Sequence, residues 1–129
     1  MNRITRPFLT IALCLLALSA CSPTQSPSVQ AVLTYLEALA AKDGDKMVSV
    51  SCADWESSAR LELDSFTAVT PELVDLQCNE ASAQGDEVLV SCTGQLKLDY
   101  NGEIQNLDLS GQFFRTIQEG GEWRMCGYQ

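Results

Sequence analysis

Three features of the 129-residue sequence predict an α+β fold of three N-terminal helices packed on a four-stranded antiparallel meander sheet. From Val29 to Phe66 the apolar residues recur at helical spacing. From Val74 onward they alternate with polar ones, the period of a half-buried strand. Between two of the alternating runs sits Asn101-Gly102, the strongest short-range signal for a two-residue hairpin turn. Helices gathered ahead of the strands, not interleaved with them, imply segregated layers.

The elements follow in order. Ser28 is placed to cap a first helix carrying Val29, Val32, Leu33, Leu36, Leu39 and Ala40, and Asp43-Gly44 ends it. Asp45 is the candidate cap of a short second helix with Met47, Val48 and Val50, ending near Cys52. Asp54 would cap a third, whose stripe is Trp55, Ala59, Leu63 and Phe66, with Glu56 and Arg60 paired on the wet side. After Thr70-Pro71 the period becomes two: Val74, Leu76 and Cys78 point one way. A turn at Gln84-Gly85-Asp86 leads into the central hairpin. Its Asn-Gly turn sets Tyr100 opposite Glu103, Leu98 opposite Gln105, Leu96 opposite Leu107 and Gly94 opposite Leu109. The inner face then carries Val90, Cys92, Leu96, Leu98, Leu107, Leu109 and Phe113. The last strand is Glu122 to Tyr128. A four-residue loop before it turns Arg124, Cys126 and Tyr128 inward, and a three-residue loop turns Trp123 and Met125 inward. A bulge reconciles the two, and is the arrangement expected here.

Ahead of the domain, residues 1–20 read as an export signal: Arg3 and Arg6, then an apolar run from Phe8 to Ala20. Leu18-Ser19-Ala20-Cys21 resembles the lipobox of bacterial lipoproteins, which implies diacylation of Cys21 and cleavage before it. Two acyl chains bury enough methylenes, at about 0.8 kcal/mol each, for stable anchoring. The expected organisation is signal 1–20, tether 21–27 and folded domain 28–129, in the cell envelope, facing away from the cytoplasm. Losing the signal removes two arginines and no acid, so the net charge falls from −9 to −11. So acidic a domain disfavours nucleic acid as a partner.

Cys14 leaves with the signal and Cys21 takes the lipid, leaving Cys52, Cys78, Cys92 and Cys126. An even set in an exported domain predicts two disulfides. No Cys-x-x-Cys pair supports a metal site, and no metal or cofactor is expected. Inward positions in the first two strands are even-numbered, and a three-residue turn places Cys78 opposite Cys92, with β-carbons ~4.5–5.5 Å apart. Cys126 then lies two strands from Cys92 and three from Cys78, at ~4.8 Å per strand, beyond the ~7 Å limit between bridged α-carbons. The pairing left is Cys78–Cys92 with Cys52–Cys126.

An amphipathic first helix, two shorter ones and a meander ending Glu119-Gly-Gly-Glu-Trp123-Arg-Met-Cys-Gly-Tyr128 resemble the nuclear transport factor 2-like superfamily, and its small bacterial lipoproteins more closely. The resemblance spans about residues 28–129. It implies a cone, with helices closing a curved sheet over a central pocket. It also implies a choice between isomerase or dehydratase chemistry and non-catalytic binding or dimerisation. Enzymes of the superfamily commonly use Asp/His pairs, or a Tyr with acids; this chain has no histidine.

Tyr35, Trp55, Phe66 and Phe113 are the candidate pocket-lining residues for a small apolar ligand, against the plainer role of core filling. Asp54 and Glu62 are candidate general bases, against the plainer roles of helix cap and exposed helix residue. Arg115 and Arg124 are candidates to hold an anion or to meet Glu80 and other surface acids. Leu89, Phe114 and Trp123 would form an apolar patch on the outer sheet face, a surface for a homodimer or another protein partner. No nucleophile–base–orienter set and no glycine-rich phosphate loop is present. The expectation is a membrane-anchored binding or interaction module without catalytic residues; the competing class is a carboxylate-dependent isomerase or dehydratase.

Overall fold

Residues 25–129 are described in the computed structural model of the chain. The expected signal 1–20, the lipid-bearing Cys21 and the tether up to residue 24 lie outside them. Three helices, α1 Pro27–Ala41, α2 Gly44–Ser49 and α3 Glu56–Ser65, precede five strands. These are β1 Thr70–Gln84, β2 Glu87–Tyr100, β3 Glu103–Asp108, β4 Phe113–Glu119 and β5 Glu122–Tyr128. The sheet is antiparallel, in the order β1-β2-β4-β5, and β3 pairs with the far half of β2. The architecture is the α+β arrangement of helices over a meander, with the third strand broken in two.

Each helix starts one or two residues from its expected cap. Pro27 opens α1 behind Ser26, and its fixed φ suits a first helical position. Ser28 is instead buried, and its hydroxyl donates to Glu80 at 2.5 Å. Asp43, not Asp45, caps α2 by accepting from the Lys46 amide at 3.0 Å. Trp55, not Asp54, stands at the head of α3, and Asp54 is exposed. The buried stripe of α1, with Val32, Tyr35, Leu36 and Leu39, meets Met47, Ala59, Val90, Leu96, Leu98, Phe114 and Met125 in one apolar core.

The Asn101-Gly102 hairpin has the expected register: Tyr100 faces Glu103, Leu98 faces Gln105 and Leu96 faces Leu107. Beyond it the expectation fails at Phe113. The corner at Leu109–Gln112 interrupts the strand and changes its parity, so Val90 pairs with Phe114 and Val88 with Thr116. Phe114 is 1% exposed and inside, whereas Phe113 is 38% exposed and outside. Leu107, though directly across from buried Leu96, is 45% exposed.

Strand β1 also departs from simple alternation. Pro71 and Leu73 face Leu98 and Leu96 in place of Val74, and one extra residue between Val74 and Gln77 restores Cys78 to the inner side. The bulge presses on Gly94, where a β-carbon would stand 2.6 Å from the Val74 carbonyl oxygen and 2.7 Å from that of Asp75. With φ of +104° as well, position 94 accepts only glycine without strain. The β1–β2 turn has two residues, since Gln84 pairs with Glu87, and a second bulge between Glu80 and Ser82 absorbs the difference. Cys78 therefore still lies opposite Cys92, and the two are disulfide-bonded with α-carbons 4.1 Å apart.

The last hairpin contains a bulge too. Its loop is two residues, Gly120-Gly121, and one extra residue of β5 lies between the Thr116–Met125 and Phe114–Tyr128 pairs. Met125 and Tyr128 thereby both reach the core side, and Cys126 is disulfide-bonded to Cys52. Ser51 bridges Met125 as a short parallel pair, with the Cys52 amide donating to the Met125 carbonyl at 2.8 Å.

Candidate functional site

The residues brought together lie where α1, α3 and β5 meet. Glu62 sits one turn beyond Ala59 on α3, beside the apolar stripe and not on the wet side. Both of its oxygens accept phenol protons: Tyr35 donates to Oε2 and Tyr128 to Oε1, each at 2.5 Å. The Trp55 indole donates to the Tyr35 oxygen at 3.1 Å, so a hydroxyl with no exposure to solvent has both a donor and an acceptor. Tyr128 is wedged edge-on between Trp55 and Phe114, with ring centroids 5.6 and 5.4 Å away. Burial, reinforced by the Glu62 carboxylate, pushes both phenols well above the usual tyrosine range. They are therefore proton donors at any physiological pH.

Gly127, at φ +116°, lies in the β5 bulge, and a β-carbon there would touch the Trp55 ring at 3.3 Å. The bulge thus turns Tyr128 inward and lets Trp55 close on the strand. Outside this network a cleft of about 270 Å³ opens between α3, the β2–β3 arm and the β3–β4 corner. Its walls are Leu36, Leu39, Phe66, Leu96, Leu109 and Phe114. Its polar groups are Glu62, Tyr128, Asp108 and Gln112. Asp108 stands at the exposed rim, and the Ser110 amide, donating to its Oδ1 at 2.8 Å, holds its carboxyl below the ordinary range. A wider, more open groove of about 610 Å³ runs between α1, α2 and the β4–β5 turn, past Lys46, Trp123 and Arg124.

Of the four candidate lining residues, Phe66 lies on the cleft wall. Tyr35 and Trp55 lie behind it, holding Glu62 and Tyr128 in place. Phe113 is outside altogether, for the parity reason given above, and Phe114 occupies its place. Asp54 is exposed, whereas Glu62 is the centre of the network. The arginines are engaged by surface acids other than Glu80: Arg115 with Glu87, and Arg124 with Glu122 and the Ser49 carbonyl. On the outer sheet face Leu89 is half-buried, Phe114 is in the core and Trp123 packs partly buried against that core, so the expected patch loses both of its aromatic members. Tyr128 and Asp108 were not among the sequence candidates. Tyr128 was legible as inward with a four-residue loop or a bulge before it, though not as a partner of Glu62, and Asp108 carried no signal before the corner was placed.

Among the described residues no group of three or more Cys, Asp and Glu is arranged to hold a metal ion. No family model matches the chain, and a search of curated proteins finds no match either. Solved structures do match. A ketosteroid isomerase-like protein from Erwinia carotovora atroseptica superposes with a TM-score of 0.62 at 14% identity, over 78% of this chain and 90% of that one. An LEH-like epoxide hydrolase from Mycobacterium tuberculosis gives 0.52 at 17% identity, over 83% and 86%. An NTF2-like protein of unknown function from Pseudomonas putida gives 0.51 at 12% identity, over 77% and 79%. Likeness at such identities speaks for the fold: the chain has the α+β cone of the nuclear transport factor 2-like proteins.

Proposed function

We propose that the protein is a lipid-anchored module of the cell envelope that holds a small, mainly apolar molecule in the Glu62–Tyr128 cleft without transforming it. The observation that carries this reading is the state of Glu62. Each of its oxygens accepts from a phenol, which fixes the carboxylate in one orientation. The chain has no histidine to pass a proton on from it, so Glu62 is anchored as an acceptor outside any proton relay. The same network is well suited to present a fixed negative pole at one side of an apolar cavity. Anchoring through Cys21 places the module at a membrane surface, where molecules of that polarity partition.

The test is mass spectrometry of small molecules extracted from the purified full chain, beside the same extraction from Leu107→Trp, which obstructs the cleft from an exposed site that the core does not depend on. A molecule retained by the first and absent from the second supports binding; extracts with no difference count against it.

The competing reading is a carboxylate-dependent isomerase or dehydratase. It is favoured by one geometric fact: an acid and a phenol share a cleft wall, an acid–base pair of the kind proton transfer requires. Substrate turnover lost in Glu62→Gln with affinity retained would establish it over the first.

A further inference from the structure

The charge of the cleft points to the class of ligand it takes. Two of its lining residues are acids, Glu62 inside and Asp108 at the rim, and no lysine or arginine lines it. The ion pairs among the described residues, Lys97–Glu72, Arg115–Glu87 and Arg124–Glu122, include neither acid. The groups touching Glu62 are neutral phenols that supply hydrogen bonds and no countercharge. An acid beside apolar walls and without a positive neighbour is costly unless a charge partner arrives. Two other features of the wall suit a cation. The rings of Phe66, Phe114 and Tyr128 line the cleft, and their faces attract positive charge. The chain as a whole carries a net charge of −9, which raises the local concentration of cations and repels anions.

We propose that the ligand of this cleft is an organic monocation with an apolar body: an alkyl- or aralkylammonium whose nitrogen sits between Glu62 and Asp108 and whose carbon chain lies along Leu36, Leu39, Leu96 and Leu109. The assignment rests on the binding reading above and narrows it. At about 270 Å³ the cleft lies just below the ~300–1,000 Å³ range of drug-sized sites, so the body is short. Each Glu62 oxygen has a second lone pair, so an ammonium is accepted without displacing either tyrosine.

The experiment uses the full chain carrying Cys21→Ser, so that no acyl chain competes for the cleft, with its disulfides intact and at low salt. Hexylammonium, 1-hexanol and hexanoate, matched in body and differing in charge, are titrated while amide NMR shifts are followed. The expected result is shifts at Phe66, Leu109, Phe114 and Tyr128, with hexylammonium binding at least tenfold tighter than hexanol and hexanoate weakest. Asp108→Asn, at an exposed site where folding is not at stake, should bring hexylammonium several-fold closer to hexanol and leave hexanol unchanged. Hexanol or hexanoate binding the same residues as tightly as hexylammonium overturns the cation assignment and leaves the cleft as a binding site. No shift at those residues with any of the three overturns both.

Discussion

Glu62 ties three elements through four polar atoms, and each has a measurable share. Tyr35→Phe leaves the Trp55 indole without an acceptor and one Glu62 oxygen without its donor. An unsatisfied buried group costs about 1–3 kcal/mol, and a fall of that size in denaturant-derived stability is expected. Tyr128→Phe, at a half-buried site, should cost less. The phenols also make stability depend on alkaline pH. Their folded ionisation lies above that of the unfolded chain, so their contribution is complete below pH ~10 and declines as unfolded tyrosines begin to release protons. Denaturant midpoints measured from pH 8 to 11 should fall at the upper end, and the fall should be shallower in Tyr35→Phe. These residues were visible one by one in the sequence: Tyr35 just off the α1 stripe, Trp55 at the head of the α3 stripe, and Glu62 as a candidate base on α3. Their convergence was not, because a bulge in the last hairpin was expected without a position, and it is its place between the Thr116–Met125 and Phe114–Tyr128 pairs that brings Tyr128 to Glu62.

At the scale of elements, the hairpin and the corner give opposite lessons. Asn101-Gly102 demands positive φ at two consecutive residues and has φ of 55° and 99°, so its register followed from turn chemistry alone. The corner at Leu109–Gln112 is built on Ser110-Gly111, a turn signal that the unbroken alternation before it masked, and a pattern of period two does not say whether a strand resumes in phase after such a break. Leu96 and Leu107, partners across that hairpin, should therefore respond very differently. Leu96→Ala is expected to cost about 2–5 kcal/mol, and Leu107→Ala at a site 45% exposed no more than about 0.5 kcal/mol, both by chemical denaturation. Gly94→Ala drives a methyl group into the β1 bulge at positive φ, and a loss of about 1–3 kcal/mol is expected. The same change at Gly102, where a β-carbon meets nothing within 4 Å, carries only the conformational part.

Over the whole molecule, the cysteine pairing was deducible from strand parity and strand spacing: the spacing is as expected, and the bulge at Glu80–Ser82 offsets the shorter turn, so Cys78 still meets Cys92. Two disulfides fit an oxidising, extracytoplasmic environment. In the chain-entropy model the 14-residue Cys78–Cys92 link contributes about 3 kcal/mol and the 74-residue Cys52–Cys126 link about 4 kcal/mol. Replacing Cys52 and Cys126 together by Ala should accordingly lower stability more than replacing Cys78 and Cys92. Anchoring belongs to this scale as well: under the proposed function, Cys21→Ser should move the protein from the membrane to the soluble fraction on ultracentrifugation.

The bond between Cys52 and Cys126 closes on β5, the last strand of the sheet, and Tyr128 and Gln129 complete the contacts to Glu62 and Phe113. A nascent polypeptide can thus zip its first hairpins and lock Cys78 to Cys92 while still being extruded, yet the covalent clamp between its helical layer and the sheet waits until β5 has emerged. Proteolysis of ribosome-stalled or translocation-arrested lengths should show the N-terminal half cleavable up to that point and resistant just after it.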